Sequence, residues 1–140
     1  SIMNEYKFND INIGLGESFE VLIADGMMDS FKEITGDINP LHTDCNYAKS
    51  KGYTDRVVYG MLISSFYSTL VGLYLPGKHS LLQAINISFN VPVFIGDRLI
   101  VYGEVTYINE AYKQLEIKAF ITNQNNKKVS KAKIKASLYE

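Results

Sequence analysis

Asp37 and His42 stand five residues apart in the run Thr35-Gly36-Asp37-Ile38-Asn39-Pro40-Leu41-His42-Thr43-Asp44. A carboxylate and an imidazole aimed at one point can hold a water molecule and move its protons, which is the apparatus of general acid–base catalysis. On a continuous helix, five steps of about 100° would leave the two side chains about 140° apart, facing different ways. Pro40 opposes such a helix, because it has no N–H and disfavours helical geometry at Asn39. A compact loop that folds Asp37 and His42 onto one side is expected instead.

The flanking elements must hold that loop. Residues 17–24 read as a strand, with Phe19, Val21 and Ile23 on one face. Asp25 suits a helix N-cap, and Met27, Met28, Phe31 and Ile34 recur at helical spacing. Gly36 ends that helix through its tolerance of positive φ. Thr43 or Asp44 can cap a short second helix, which Gly52 stops. Residues 61–75 carry the longest helical pattern and are closed by Pro76-Gly77. There Leu62, Phe66, Leu70 and Leu73 form a stripe that Ile63, Val71 and Tyr74 widen, so the helix is apolar nearly all round and belongs in a core. Residues 80–92, 98–109, 112–124 and 127–139 alternate with period two and are rich in Ile, Val, Tyr and Phe. Turn signals lie at Gly96-Asp97 and between Asn123 and Lys128. Consecutive strands favour antiparallel pairing. The expected fold class is α+β, a curved antiparallel sheet wrapped around a long central helix, in one domain over residues 1–140.

Composition narrows the function. Fourteen basic and fifteen acidic residues give a net charge of −1, which offers no electrostatic case for nucleic acid or an anionic membrane. The lysines between Lys127 and Lys135 are interrupted by Val129, Ala132 and Ile134, as on the wet face of a strand. The longest apolar stretch is broken by Ser64, Ser65, Ser68 and Thr69 and falls short of the ~20 apolar residues of a membrane span. Residues 1–16 show no basic-then-apolar leader, and the expectation is a soluble, cytoplasmic protein. Cys45 is the single cysteine, so no intrachain disulfide can form. It reads as an incidental thiol, since no adjacent cation lowers its pKa. No metal is expected: His79 lies in a distant turn, and no Cys/His spacing suits zinc. Gly14-x-Gly16 has no Gly-rich continuation, Lys or helix after it, so it is not a phosphate loop.

Three stretches carry a resemblance. Gly36 to Asp44 matches the hydratase motif with its Asp and His. Tyr59-Gly60-Met61-Leu62 stands where His-Gly-Met usually opens a central helix. Phe89 to Asp97 resembles a Phe-x-x-Pro-Val-φ-x-Gly-Asp stretch entering a strand, φ being apolar. In this order and spacing the chain resembles the MaoC-like, (R)-specific enoyl-CoA hydratase family, whose fold is the hot dog. The resemblance runs from about Phe19 to the end. It implies catalytic roles for Asp37 and His42, an oxyanion contact at Gly60, a serine near the acyl pocket at Ser68, and an orienting role for Asn39. Tyr59 departs from the family's histidine. It keeps a hydrogen-bonding tip but cannot become a cation near neutral pH, so the change bears on substrate contacts at the mouth, where Met61 also lies.

The implied reaction is hydration of a trans-2-enoyl thioester, or the reverse dehydration of an (R)-3-hydroxyacyl thioester. It needs a base for water attacking C3, a proton for C2 and a stabiliser for the thioester oxygen. Gly60 suits the last by residue type as well as by family. The first N–H groups of a helix lack internal partners, the helix dipole adds positive charge, and the missing Cβ lets a carbonyl approach. Losing one such donor costs roughly 2.7–4 kcal/mol in a well-studied oxyanion hole of another enzyme class. Arg56, with Lys49, Lys51 and Lys78, could meet the phosphates of a CoA carrier. No cofactor is expected beyond the CoA or acyl-carrier thioester of the substrate itself.

Other hot-dog proteins, the thioesterases and acyl-carrier-protein dehydratases, resemble one another in using an Asp or Glu on the central helix. Residues 56–96 hold neither. A non-catalytic acyl-thioester-binding subunit is the remaining alternative, and its mark would be loss of Asp37 or His42, which are both present. A homodimer is expected, since one curved sheet leaves edges that pairing can cover, and a higher oligomer of dimers is compatible with it.

Overall fold

A computed structural model of the protein describes residues 3–139. Its five strands are β1 (Gly16–Leu22), β2 (Ser80–Phe89), β3 (Arg98–Asn109), β4 (Gln114–Thr122) and β5 (Lys128–Leu138). They pair antiparallel in one sheet of order β1-β3-β4-β5-β2, so β1 and β2 are its edges. The helices are α1 (Asp25–Thr35), α2 (Pro40–Thr43), α3 (Cys45–Ser50) and α4 (Gly60–Thr69). The α+β layout expected from the sequence is present.

The alternation in β3, β4 and β5 divides the sheet into two faces. Leu99, Val101, Val105, Leu115, Ile117 and Ile121 are buried against the helical layer. On β5, Lys131, Lys133 and Lys135 are exposed while Ala132, Ile134 and Ala136 are buried, which is the wet strand face the pattern predicts. Gly103 sits mid-strand under Leu70, where an added Cβ would lie 2.7 Å from a Leu70 methyl. The missing side chain there lets the central helix settle on the sheet.

The central helix departs from the expectation in two ways. Its α-helical part ends at Thr69, and Leu70–Tyr74 form a wider π-helical turn. Nor is it buried all round. Leu62, Ile63, Tyr67, Leu70 and Val71 enter the core, whereas Met61 is 63% exposed and Ser65 and Ser68 are also exposed. These three positions are spaced by four and three residues, so they share one face of the helix. The apolar count along the sequence could not separate a face left open in a single chain from a face in its core.

Two helix ends place the loop that matters. Gly36, at φ 72°, closes α1 in the left-handed region and donates its N–H to Lys32 O at 2.7 Å. Asp25 is the first residue of α1 rather than its cap; Ala24 holds the cap position, and the Asp25 carboxylate reaches Arg56 instead. Asp44 does cap α3, accepting from the N–H groups of Asn46 and Tyr47. Among the described residues no helix is long and apolar enough to cross a membrane.

Candidate active site

The loop between α1 and α2 is held by successive side-chain-to-backbone bonds. Thr35 Oγ1 accepts from the Asp37 N–H at 3.2 Å. The Asp37 carboxylate accepts from the Asn39 N–H at 3.0 Å, and Asn39 Oδ1 accepts from the Leu41 N–H at 2.9 Å. Asn39 therefore caps α2, and Pro40 fills the first helical position, where a missing N–H costs nothing. That turn brings His42 round toward Asp37, as the sequence requires.

His42 is fixed by a backbone group from another loop. Its Nδ1 lies 2.6 Å from Val57 O. A carbonyl only accepts, so Nδ1 carries the proton and the neutral ring leaves Nε2 as a free acceptor. The ring stacks on Tyr59, with centroids 4.2 Å apart and 29° between planes, and Tyr59 in turn packs on Phe31 at 4.9 Å.

Tyr59 is 2% exposed, and its hydroxyl donates to Asp37 O at 2.6 Å. Burial, and then the nearby Asp37 carboxylate, raises the tyrosine pKa above its ordinary value. The group stays a neutral hydrogen-bond donor through the physiological range.

Asp37, His42 and Gly60 line one cleft of about 390 Å³, walled by Phe31, Tyr59, Met61 and Phe89. Gly60 is the first residue of α4, so its amide belongs to the set with no carbonyl partner within the helix. A second cleft of about 260 Å³ shares His42, Gly60 and Phe89 with the first and continues past Tyr53 and Pro92. Two depressions on the outer face of the sheet, of about 310 and 400 Å³, are lined in part by lysines and share no residue with this site.

Of the other positions singled out in the sequence, Met61 lines the Asp37 cleft, whereas Ser68 lines neither cleft of the site. Arg56 donates to the Asp25 carboxylate at 2.7 Å. The Asp55 carboxyl is held below its usual value first by the Arg56 backbone N–H, which donates to it at 2.7 Å, and then by the nearby Cys45 thiol. Sequence reading missed Phe89 and the Val57 carbonyl as parts of the site. Phe89 had a signal in the Phe-x-x-Pro stretch; Val57 acts through its backbone, and no residue type announces that.

The MaoC-like domain model matches residues 10–129. The chain belongs to the MaoC-like family. An (R)-specific enoyl-CoA hydratase from Aeromonas caviae is 40% identical over 81 residues, covering 58% of this chain and 60% of that protein. A 3-hydroxybutyryl-CoA dehydratase from Methylorubrum extorquens is 33% identical over 98 residues, covering 70% of this chain and 62% of that protein. The matched region thus spans about three fifths of the length of each of these curated relatives. In three dimensions, the R-hydratase PhaJ1 from Pseudomonas aeruginosa superposes with a TM-score of 0.92 at 25% identity, covering 99% of this chain and 88% of that one. The A. caviae (R)-hydratase superposes with a TM-score of 0.87 at 28% identity, covering 91% and 97%. The hot-dog architecture implied by the MaoC-like motifs is therefore the observed one.

Proposed function

We propose that this MaoC-like chain hydrates trans-2-enoyl thioesters with (R) specificity, or runs the reverse dehydration of (R)-3-hydroxyacyl thioesters. The observation that carries this reading is the convergence of Asp37, His42 and the helix-opening Gly60 on one cleft. The thioester oxygen rests on the Gly60 amide. One water molecule sits between the Asp37 carboxylate and His42 Nε2. Nε2 accepts one water O–H and orients the oxygen toward C3. Asp37 withdraws the other proton as the C3–O bond forms, and returns it to C2 as the enolate collapses. Both parts of the water end on one face of the double bond, so addition is syn. General acid–base help of this kind contributes about 10²–10⁴-fold.

The carrier, CoA or acyl carrier protein, is open in this reading. Relatives bear names of both kinds, among them a mitochondrial 3-hydroxyacyl-[acyl-carrier-protein] dehydratase of Solanum lycopersicum, 34% identical over 87 residues. The reaction as drawn uses no metal or cofactor outside the thioester. Asn39 acts by capping the catalytic loop, Met61 by walling the acyl side, and Arg56 and Ser68 are proposed to meet the carrier and the acyl chain. The chain is read as a homodimer, with the edge strand β2, where Leu81, Leu82 and Ile85 are exposed, as the joining edge. Assemblies of such dimers fit the same reading, as does a cytoplasmic location.

The test follows the absorbance of the conjugated enoyl thioester on adding protein, with product chirality read out. Wild type should consume the band and yield the (R)-3-hydroxyacyl product. Asp37→Asn keeps the acceptor for the Asn39 N–H but loses the base, and it should fall about 10²–10⁴-fold, as should His42→Ala. Binding of the thioester without turnover would make the chain an acyl-binding subunit, and an unchanged rate in both variants would remove the assignment.

A further inference from the structure

Phe89 ends the edge strand β2, pairs in register with Ser130, and has its next N–H anchored to Val129 O at 2.9 Å. Its neighbours on the same side of the chain, Ile87 and Val91, pack on the core. Phe89 instead remains 49% exposed, with its ring edge 3.3 Å from where a Cβ on Gly60 would stand. The ring thus bounds the approach to the Gly60 amide.

It also stands where the two clefts meet. Both include His42, Gly60 and Phe89, but only one includes Asp37. A thioester carbonyl resting on Gly60 has two substituents, the sulfur and C2. Its double bond must reach Asp37, so C2 and C3 enter the Asp37 cleft and the sulfur leaves through the other. Phe89 and His42 line both clefts, so C2 passes alongside them as it leaves the carbonyl.

We propose that Phe89 is a positioning and selectivity residue: its ring holds the thioester carbonyl against Gly60 and closes the space beside C2, so that the site takes C2-unbranched enoyl thioesters and rejects C2-methyl ones. This rests on the hydratase reading above. The ring does so by shape alone, and trimming it opens the passage at the cost of a looser carbonyl.

The test compares kcat/KM for crotonyl-CoA and for its 2-methyl analogue, tiglyl-CoA, in wild type, Phe89→Leu and Phe89→Ala. One methyl group in a shaped apolar site is worth about 10–200-fold in discrimination. Wild type should prefer crotonyl-CoA by that order. Phe89→Ala should raise the tiglyl-to-crotonyl ratio about tenfold or more while lowering kcat on crotonyl-CoA, and Phe89→Leu should fall between. If Phe89→Ala does not fold, as read by thermal melting, Phe89→Leu decides the matter. A ratio unchanged within about twofold, with both substrates slowed alike or the oligomeric state altered on a sizing column, would make Phe89 a packing or interface residue and overturn the proposal. Wild type inert toward every enoyl thioester would instead bring down the hydratase reading, and this selectivity with it.

Discussion

Removing the Tyr59 hydroxyl as Tyr59→Phe deletes one hydrogen bond and leaves both aromatic contacts of that ring in place. The bond runs from the phenol to Asp37 O at 2.6 Å, and it ties the mouth of α4 to the residue proposed as the base. A net hydrogen bond contributes about 0.5–1.5 kcal/mol. The carbonyl left behind is on an exposed loop residue, where water can replace the phenol, so a loss of about 1 kcal/mol is expected. For a chain of this length that is about 4 °C in Tm. The kinetic loss should be larger than this suggests, because the loop also aims the carboxylate. Misplacing a reacting group by an ångström can cost about 10²-fold, and a tether that loosens rather than shifts should cost about tenfold in kcat. KM should move little, since the ring still walls the cleft and still stacks on His42. The assay is thermal melting alongside steady-state hydration kinetics. A variant that melts lower yet turns over at the wild-type rate would show that the phenol braces the fold without aiming Asp37. No change in either would refute the reasoning altogether.

Three further outcomes follow from particular contacts. Asn39→Ala removes the cap that accepts from Leu41 N–H and should cost about 1 kcal/mol of stability, together with activity, while Asn39→Asp should recover much of the stability. Tyr67 is fully buried, bonded to Ser130, and burial pushes its pKa up to about 12. The folded state therefore holds that proton more tightly than the unfolded chain does; the stabilisation is complete below about pH 10 and is lost as pH rises through about 12. Denaturant melts across that window should show the loss in wild type and a shallower one in Tyr67→Phe. Finally, Arg56→Ala and Asp25→Ala break the same exposed ion pair, worth about 0–1 kcal/mol. A rise in KM for CoA thioesters confined to Arg56→Ala would support a phosphate contact, and equal small effects would limit the guanidinium to bracing α1.

What the residues disclosed, and what they hid, divides along a physical line. Pro40 after Asn39 dictated a turn, because proline geometry is local; the strand periods and the Gly36 stop are local as well. The partner of His42 Nδ1 is a backbone carbonyl fifteen residues away, and every residue has one. Phe89 meets Gly60 across 29 positions, through the placement of α4 against the edge strand, which only packing determines. Asp25 misled for a related reason. Its chemistry fits a cap, but an arginine supplied from the loop at residue 56 captured its carboxylate, and the helix starts one residue earlier than that cap would place it. The open face of α4 was hidden too, since Ser65 and Ser68 lie in a run whose apolar count reads as core, although Met61, placed at the mouth from the sequence, does line a cleft.

One consequence concerns acid and alkali. Asp37 O, Val57 O and the Asn39 N–H are main-chain groups, so the partners that orient the proposed acid–base pair do not titrate. The ring stacked on His42 belongs to Tyr59, whose raised pKa keeps it neutral well past physiological pH. The groups that orient the pair therefore add no titration of their own to the rate. Tyr59→Phe should leave the shape of kcat/KM against pH unchanged while lowering its height. A limb that moves in Tyr59→Phe would mean that the phenol's proton takes part in the chemistry, contrary to the bond it makes to a carbonyl that can only accept.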